Sequence, residues 1–273
     1  MKLISKSFLF VADGILESYS KDQSIKTDQL SELNSFVDDG CVGELLVKLD
    51  EKHNEFNQLL GFDPDIKLTN NLFKEKYNGL KVQFLSNFKV NEIDDGSGFS
   101  HYQIKNDTEI VDRVLELSVN SDLLIILYKS GNDVLSVLEV MNNFIRDLKS
   151  RKPQDFEKYY VNLLLNFGTH YTYELSPNTN QQFNSKLLEQ SQFTLPLQSY
   201  TLLDGKRLDD SLIRKTSPWI AIYDHNILSR KDNVTSFTFE NLTTSQGSNG
   251  RILLIHYIKE IIFKLGKLPK YGA

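Results

Sequence analysis

Five histidines, one cysteine and 36 aspartates and glutamates are the side chains of this sequence best suited to chemistry. Histidine supplies a proton acceptor near neutrality, a thiolate supplies a nucleophile, and carboxylates supply acid–base pairs or metal ligands. Their spacing shows no local site. His53, His101, His170, His225 and His256 have no partner at metal-ligand spacing, and no HExxH, CxxC or GxSxG occurs. The cluster Asp94-Asp95-Gly96-Ser97-Gly98 is followed by no GK[ST] and lacks the spaced carboxylates of a calcium loop, so it reads as a solvated turn. Cys41 stands alone, which excludes an intrachain disulfide and suits a small buried hydrophobe. His53 falls on an apolar helical face and reads as a core or boundary histidine. Catalytic triads assemble in space and not in sequence. On local spacing the expectation is nevertheless a protein that is not an enzyme, with no catalytic residue, no metal site and no cofactor.

The elements that would position such residues follow from hydrophobic period. Residues 7–12 alternate weakly and predict a first strand. Leu30, Leu33, Phe36 and Val37 predict a short helix, and Val42 to Leu60 a longer one ending at Gly61. Leu80, Val82 and Phe84 alternate briefly. Ile110, Val111, Val114 and Leu115 predict a helix, and the continuous run Leu123–Tyr128 a central strand. Val134, Val137, Leu138, Met141, Phe144, Ile145 and Leu148 form one helical stripe, with Asp133 as N-cap. Pro153 suits the first turn of the next helix. Farther on, Trp219–Ile222 and Thr235–Phe239 read as short strands. A last helix is predicted over about 251–265, with Gly266 as its C-cap.

Composition bounds the class. With 40% hydrophobic and 25% charged residues over 273 positions, the chain can bury a substantial core, and a single domain over 1–273 is expected. A net charge of −5 provides no global basic field for nucleic acid. No apolar run reaches the ~18 residues of a membrane-spanning helix, and the run Phe8–Ala12 is too short for a signal peptide core.

One stretch carries more information. Phe156, Tyr159, Tyr160, Leu163, Leu164 and Phe167 recur at steps of three and four, which predicts a helix face. Gly168 falls at its C-cap, and Thr169, Tyr171 and Tyr173 then alternate like a strand. His170 reads as a packing or capping residue at this joint. Tyr160, six residues, then Phe167-Gly168-Thr169-His170-Tyr171 resembles the signature of the membrane-attack-complex/perforin (MACPF) family. The family's following Gly-Gly pair is replaced by Asn178-Thr179.

The resemblance implies an α+β fold with a bent central antiparallel sheet of about four strands, flanked by helices and two helical clusters. It implies a pore-forming, cytolytic protein, a toxin or immune effector, secreted or membrane-associated. Such a protein would assemble into a homo-oligomeric ring or arc on a lipid membrane, with a protein partner for targeting and no nucleic acid. The segments to become membrane hairpins would be about 67–105 and 178–216. Tyr160 and Phe167 to Tyr171 would then be structural. The absent Gly-Gly pair favours an alternative, a non-lytic MACPF-like binding or regulatory module. A further alternative is an unrelated soluble α+β domain in which the motif has arisen by chance.

Overall fold

The computed structural model describes residues 4–21, 25, 27–48, 54–94, 96–129, 133–166, 202–203, 206–207, 216–223, 232–244 and 251–269. Its strands are β1 (Lys6–Asp13), β2 (Cys41–Lys48), β3 (Val82–Ser86), β4 (Ser100–Gln103), β5 (Leu123–Lys129), β6 (Tyr159–Leu165), the two-residue β7 (Leu202–Leu203) and β8 (Lys206–Arg207), β9 (Thr216–Tyr223) and β10 (Arg251–Leu253). Eight of them form one sheet in the order β10-β2-β9-β6-β1-β5-β3-β4, and β7 and β8 pair separately. β9 runs antiparallel to both its neighbours; every other pairing in the large sheet is parallel.

The helices are α1 (Ile15–Lys21), α2 (Ser31–Asp39), α3 (Glu55–Leu59), α4 (Asn70–Lys76), α5 (Asn91–Asp94), α6 (Ile110–Ser118), α7 (Val134–Arg151), α8 (Pro153–Phe156), α9 (Phe239–Thr244) and α10 (Leu254–Lys264). They cover both faces of the sheet, giving three layers. On one face Phe8, Phe10, Leu124 and Ile126 pack with Tyr19 of α1, Phe36 of α2 and the apolar stripe of α7. On the other, Leu9, Val11, Ile125 and Leu164 pack with Phe56 of α3, Phe73 of α4 and Ile258 of α10. Parallel strands connected through helices are buried from both sides, so their sequences become continuous apolar runs. β1, β5 and β6 are such runs.

The expected bent antiparallel sheet of about four strands is therefore replaced by a mostly parallel sheet of eight. The misreading has a local cause. Tyr159–Leu165 was expected to be the end of a helix, because its apolar residues fit steps of three and four. It is strand β6, buried at every position. A wholly apolar run fits either period, and burial on both faces removes the alternation that would separate them. The long helix expected over Val42–Leu60 is likewise strand β2 followed by the short α3. Thr235–Phe239 forms no strand; Phe239 opens α9.

Other expectations stand. β1, α2, α6, β5 and α7 lie where the pattern places them. The Asp133 side chain accepts the Ser136 amide at 3.3 Å at the start of α7. Pro153 opens α8, and Gly266 follows α10 in the left-handed region at φ +70°. The segment 67–105 holds α4, β3, α5 and β4, elements of the same packed fold. Most of the other hairpin candidate, 178–216, lies outside the described residues. Among the described residues, no helix is long and apolar enough to cross a membrane.

Candidate functional site

Strand β1 ends in Asp13, and Gly14 then turns the chain into α1. Gly14 has φ +82°, a left-handed value open to glycine without steric cost. Asn166, immediately after β6, locks this turn from the neighbouring strand. Its side-chain Oδ1 accepts the Gly14 amide at 2.8 Å, its carbonyl accepts the Leu16 amide at 2.9 Å, and its own amide donates to the Ala12 carbonyl at 3.3 Å. Asp13 is thereby held at the carboxyl end of a central parallel strand while remaining only 3% exposed.

A cavity of about 170 Å³ opens beside it. Val11, Asp13, Leu127 and Trp219 line it from the last residues of β1 and β5 and the middle of β9. Asn54 to Phe56 and Leu59 line it from the start and body of α3, and Phe88 to Glu92 from the segment after β3. In open α/β sheets the carboxyl ends of the strands are where connections diverge and leave room for a ligand. The cavity therefore sits where the architecture leaves space, with apolar and polar groups mixed in its lining and the polar ones drawn from three separate parts of the chain.

Glu55 is its second acid. The preceding Asn54 caps α3, its side chain accepting the Asn57 amide at 2.9 Å. This fixes the first turn of the helix, and Glu55 is buried at 8% exposure. Among the described residues its Oε2 atom finds no hydrogen-bond partner. Burial first, and the Asp13 charge second, push the Glu55 carboxyl up to about 8. At neutral pH it therefore carries a proton beside an acid neighbour. Two carboxyl groups in one cavity, one of them kept protonated, are the equipment of general acid catalysis.

The segment from Phe88 to Glu92 forms one wall. Asn87 clamps it to the end of β5: its Oδ1 accepts the Lys129 amide at 2.8 Å and its Nδ2 donates to the Lys129 carbonyl at 3.2 Å. Lys89 and Glu92 reach the cavity from this wall. Asp13 and Glu55 are the residues that would face a cation. Among the described residues, however, no group of three or more histidine, cysteine, aspartate or glutamate side chains could hold a metal ion.

Of the sequence-predicted residues, Tyr160 is among those described. Tyr160 is in β6, 1% exposed, in the core layer that faces α10. Phe167, Gly168, Thr169, His170 and Tyr171 lie outside the described residues. Sequence reasoning missed both acids. For Asp13 a signal existed, an apolar strand ending in Asp-Gly directly before a helix. For Glu55 none did, since nothing in its neighbourhood foretells burial.

No family model and no curated protein matches the sequence. The fold itself is similar to solved structures. PH0037 protein from Pyrococcus horikoshii superposes with a TM-score of 0.60 at 12% identity, over 100% of both chains. The cofactor-independent phosphoglycerate mutase from Thermoplasma acidophilum superposes with a TM-score of 0.55 at 9% identity, over 96% of this chain and 100% of the mutase. These likenesses overturn the MACPF resemblance and, with it, the pore-forming and cytolytic reading. A pore of that type is built from a bent antiparallel sheet whose flanking clusters unfold into hairpins. Parallel neighbours cannot be joined by hairpins, because the connection must carry the chain from the end of one strand back to the start of the next. Of the two alternatives, a domain unrelated to that family, with the motif arisen by chance, fits better, though its sheet is of the parallel α/β kind and not α+β. The expectation that the chain is not an enzyme is corrected as well, since a phosphoglycerate mutase has a similar fold and two carboxyl groups, Asp13 and Glu55, line the cavity at the strand ends. What the chain is similar to is thus the α/β fold represented by these two proteins.

Proposed function

We propose that this protein is a phosphoryl-transfer enzyme, a hydrolase, mutase or transferase acting on a small phosphorylated molecule in the cavity between Asp13 and Glu55. The observation that carries the reading is Glu55, a buried carboxyl that keeps its proton at neutral pH beside a second acid. The likeness to phosphoglycerate mutase supports the class of chemistry.

The roles follow from the charges. A phosphoester leaves as an alkoxide unless a proton reaches its bridging oxygen. Glu55, protonated at pH 7, donates that proton as the P–O bond breaks. In the hydrolytic case water supplies the oxygen that bonds to phosphorus, and a proton from that water returns to Glu55. Because Glu55 is neutral before the step, it does not repel the anionic substrate, and its O–H can donate a hydrogen bond to it. Asp13 keeps the Glu55 proton in place through its charge. Lys89, on the rim, supplies positive charge for phosphoryl oxygens. The apolar walls from Val11, Leu127, Phe56 and Trp219 limit water and strengthen these interactions.

The test is turnover of purified protein on p-nitrophenyl phosphate, its bis-ester and 3-phosphoglycerate, with Glu55→Gln and Asp13→Asn as comparisons. At least one compound should be turned over, and Glu55→Gln should reduce its kcat about 100-fold or more while remaining folded. Turnover that survives both substitutions would place the chemistry elsewhere. Absence of turnover on all three compounds would remove the support for this class.

A further inference from the structure

Ser86 and His101 form the closest serine–histidine contact described in this chain, with Ser86 Oγ 2.7 Å from His101 Nε2. The pair resembles an activated nucleophile, but its hydrogen bonds run the other way. Ser86 Oγ also donates to the Phe88 carbonyl. A hydroxyl has one proton, and it is committed to that carbonyl. The contact with His101 must then be a donation from Nε2–H to the serine oxygen. His101 therefore cannot be taking a proton from Ser86.

The direction of the relay points to another role. Ser86 is the last residue of β3 and is fully buried; His101 is half-buried in β4, the edge strand. β4 runs parallel to β3 with His101 in register with Phe84, so His101 shares the face of the sheet on which Phe84 lies. The Phe84 ring packs on Phe56 with centroids 5.5 Å apart, and Phe56 follows Glu55 directly. The carbonyl gripped by Ser86 belongs to Phe88, the first residue of the cavity wall.

We propose that Ser86 and His101 are positioning residues for the cavity: the relay from His101 through Ser86 to the Phe88 carbonyl sets the 88–92 wall against the Glu55 carboxyl and keeps water from it. The Asn87 clamp on Lys129 holds the wall to the sheet, and the relay fixes the angle at which it leaves β3. This deepens the reading of the Asp13–Glu55 cavity but does not depend on turnover. Among the described residues, the charged groups that share the cavity with Glu55 are Asp13 of β1 and Lys89 and Glu92 of the wall. The substitutions below leave all of them in place.

The experiment is an NMR titration of the Glu55 carboxyl carbon in protein labelled on glutamate, with the signal assigned by its loss in Glu55→Gln. Ser86→Ala and His101→Ala should each move the midpoint down by about one pH unit, as water reaches a carboxyl that burial had kept neutral. Ser86→Thr, which keeps the hydroxyl, and His101→Gln, which keeps an N–H donor, should restore it. A purely structural role would change thermal stability without moving the midpoint. Should Ser86→Ala not fold, His101→Ala on the half-buried edge strand carries the test. An unchanged midpoint in folded His101→Ala overturns the proposal, and so does a wild-type midpoint in the ordinary carboxylate range. Because no substrate enters the readout, failure here is distinct from failure of the phosphoryl chemistry.

Discussion

Glu55 and Asp13 line one cavity, and the charge of Asp13 adds to burial in keeping the proton on Glu55. The pair links fold to pH. Burying a carboxyl raises its pKa, so the folded state holds a proton that the unfolded chain releases near 4.5. Between about 4.5 and about 8 the unfolded state binds fewer protons than the folded one, and stability falls as pH rises. Below that window Glu55 imposes no such cost; above it the cost is constant. Glu55→Gln stays neutral throughout. Melting temperatures of the two proteins should therefore agree best at pH 4 to 5 and diverge toward pH 8, with Glu55→Gln the more stable. Parallel curves across this range would show that Glu55 titrates normally.

Asp13→Asn separates the two causes of the Glu55 shift. Removing the neighbouring charge should lower the Glu55 titration midpoint. Burial is the larger cause, so the midpoint should remain above the usual carboxylate range. The same carbon-13 titration reads the result. A midpoint that drops all the way to the ordinary value would mean that the Asp13 charge outweighs burial.

Helix α2 depends on a residue far along the chain. Its N-cap position, Leu30, offers no side-chain hydrogen bond. Asn142 of α7 supplies the missing acceptor: its Oδ1 takes the Glu32 amide at 3.0 Å and the Leu33 amide at 3.2 Å. Asn142→Ala leaves both donors without that acceptor and should cost about 2 kcal/mol in urea unfolding. The adjacent ion pair, Lys149 Nζ to Glu32 at 2.8 Å, is partly exposed. Lys149→Ala should accordingly cost no more than about 1 kcal/mol. Equal costs for the two variants would argue against the capping role.

Gly61 joins α3 to the core at φ +78°. A Cβ there would stand 2.3 Å from the Tyr77 hydroxyl oxygen and 2.6 Å from Ile258 Cγ2. Gly79 has a similar φ of +74° with open space around it. Gly79→Ala should therefore cost only the backbone strain, about 1 kcal/mol, whereas Gly61→Ala should cost about 3 kcal/mol or more. Denaturant midpoints of both variants read the difference, and comparable losses would mean that the contact around Gly61 yields freely.

Amphipathic elements were legible in the sequence. The stripe of α7, its Asp133 cap, the Pro153 start of α8 and the Gly266 stop after α10 follow from local physics, because one face meets solvent and the period survives. β5 was legible as a strand of suitable length bounded by breakers. β6 and β2 were not, because a strand buried on both faces loses the alternation that distinguishes it from a buried helix. That single ambiguity turned Tyr159–Leu165 into an apparent helix.

The sequence by itself determined which face of α7 meets solvent, where α7 and β5 begin and end, and that no metal or nucleophile motif is written locally. Only the tertiary structure decided that the sheet is mostly parallel, because pairing direction is set by crossovers and not by any strand's own residues. Only it decided that Asp13 and Glu55 share a cavity. A carboxyl side chain has the same intrinsic acidity wherever it occurs in a sequence, and its shift toward neutrality comes from the low-dielectric surroundings that folding builds around it.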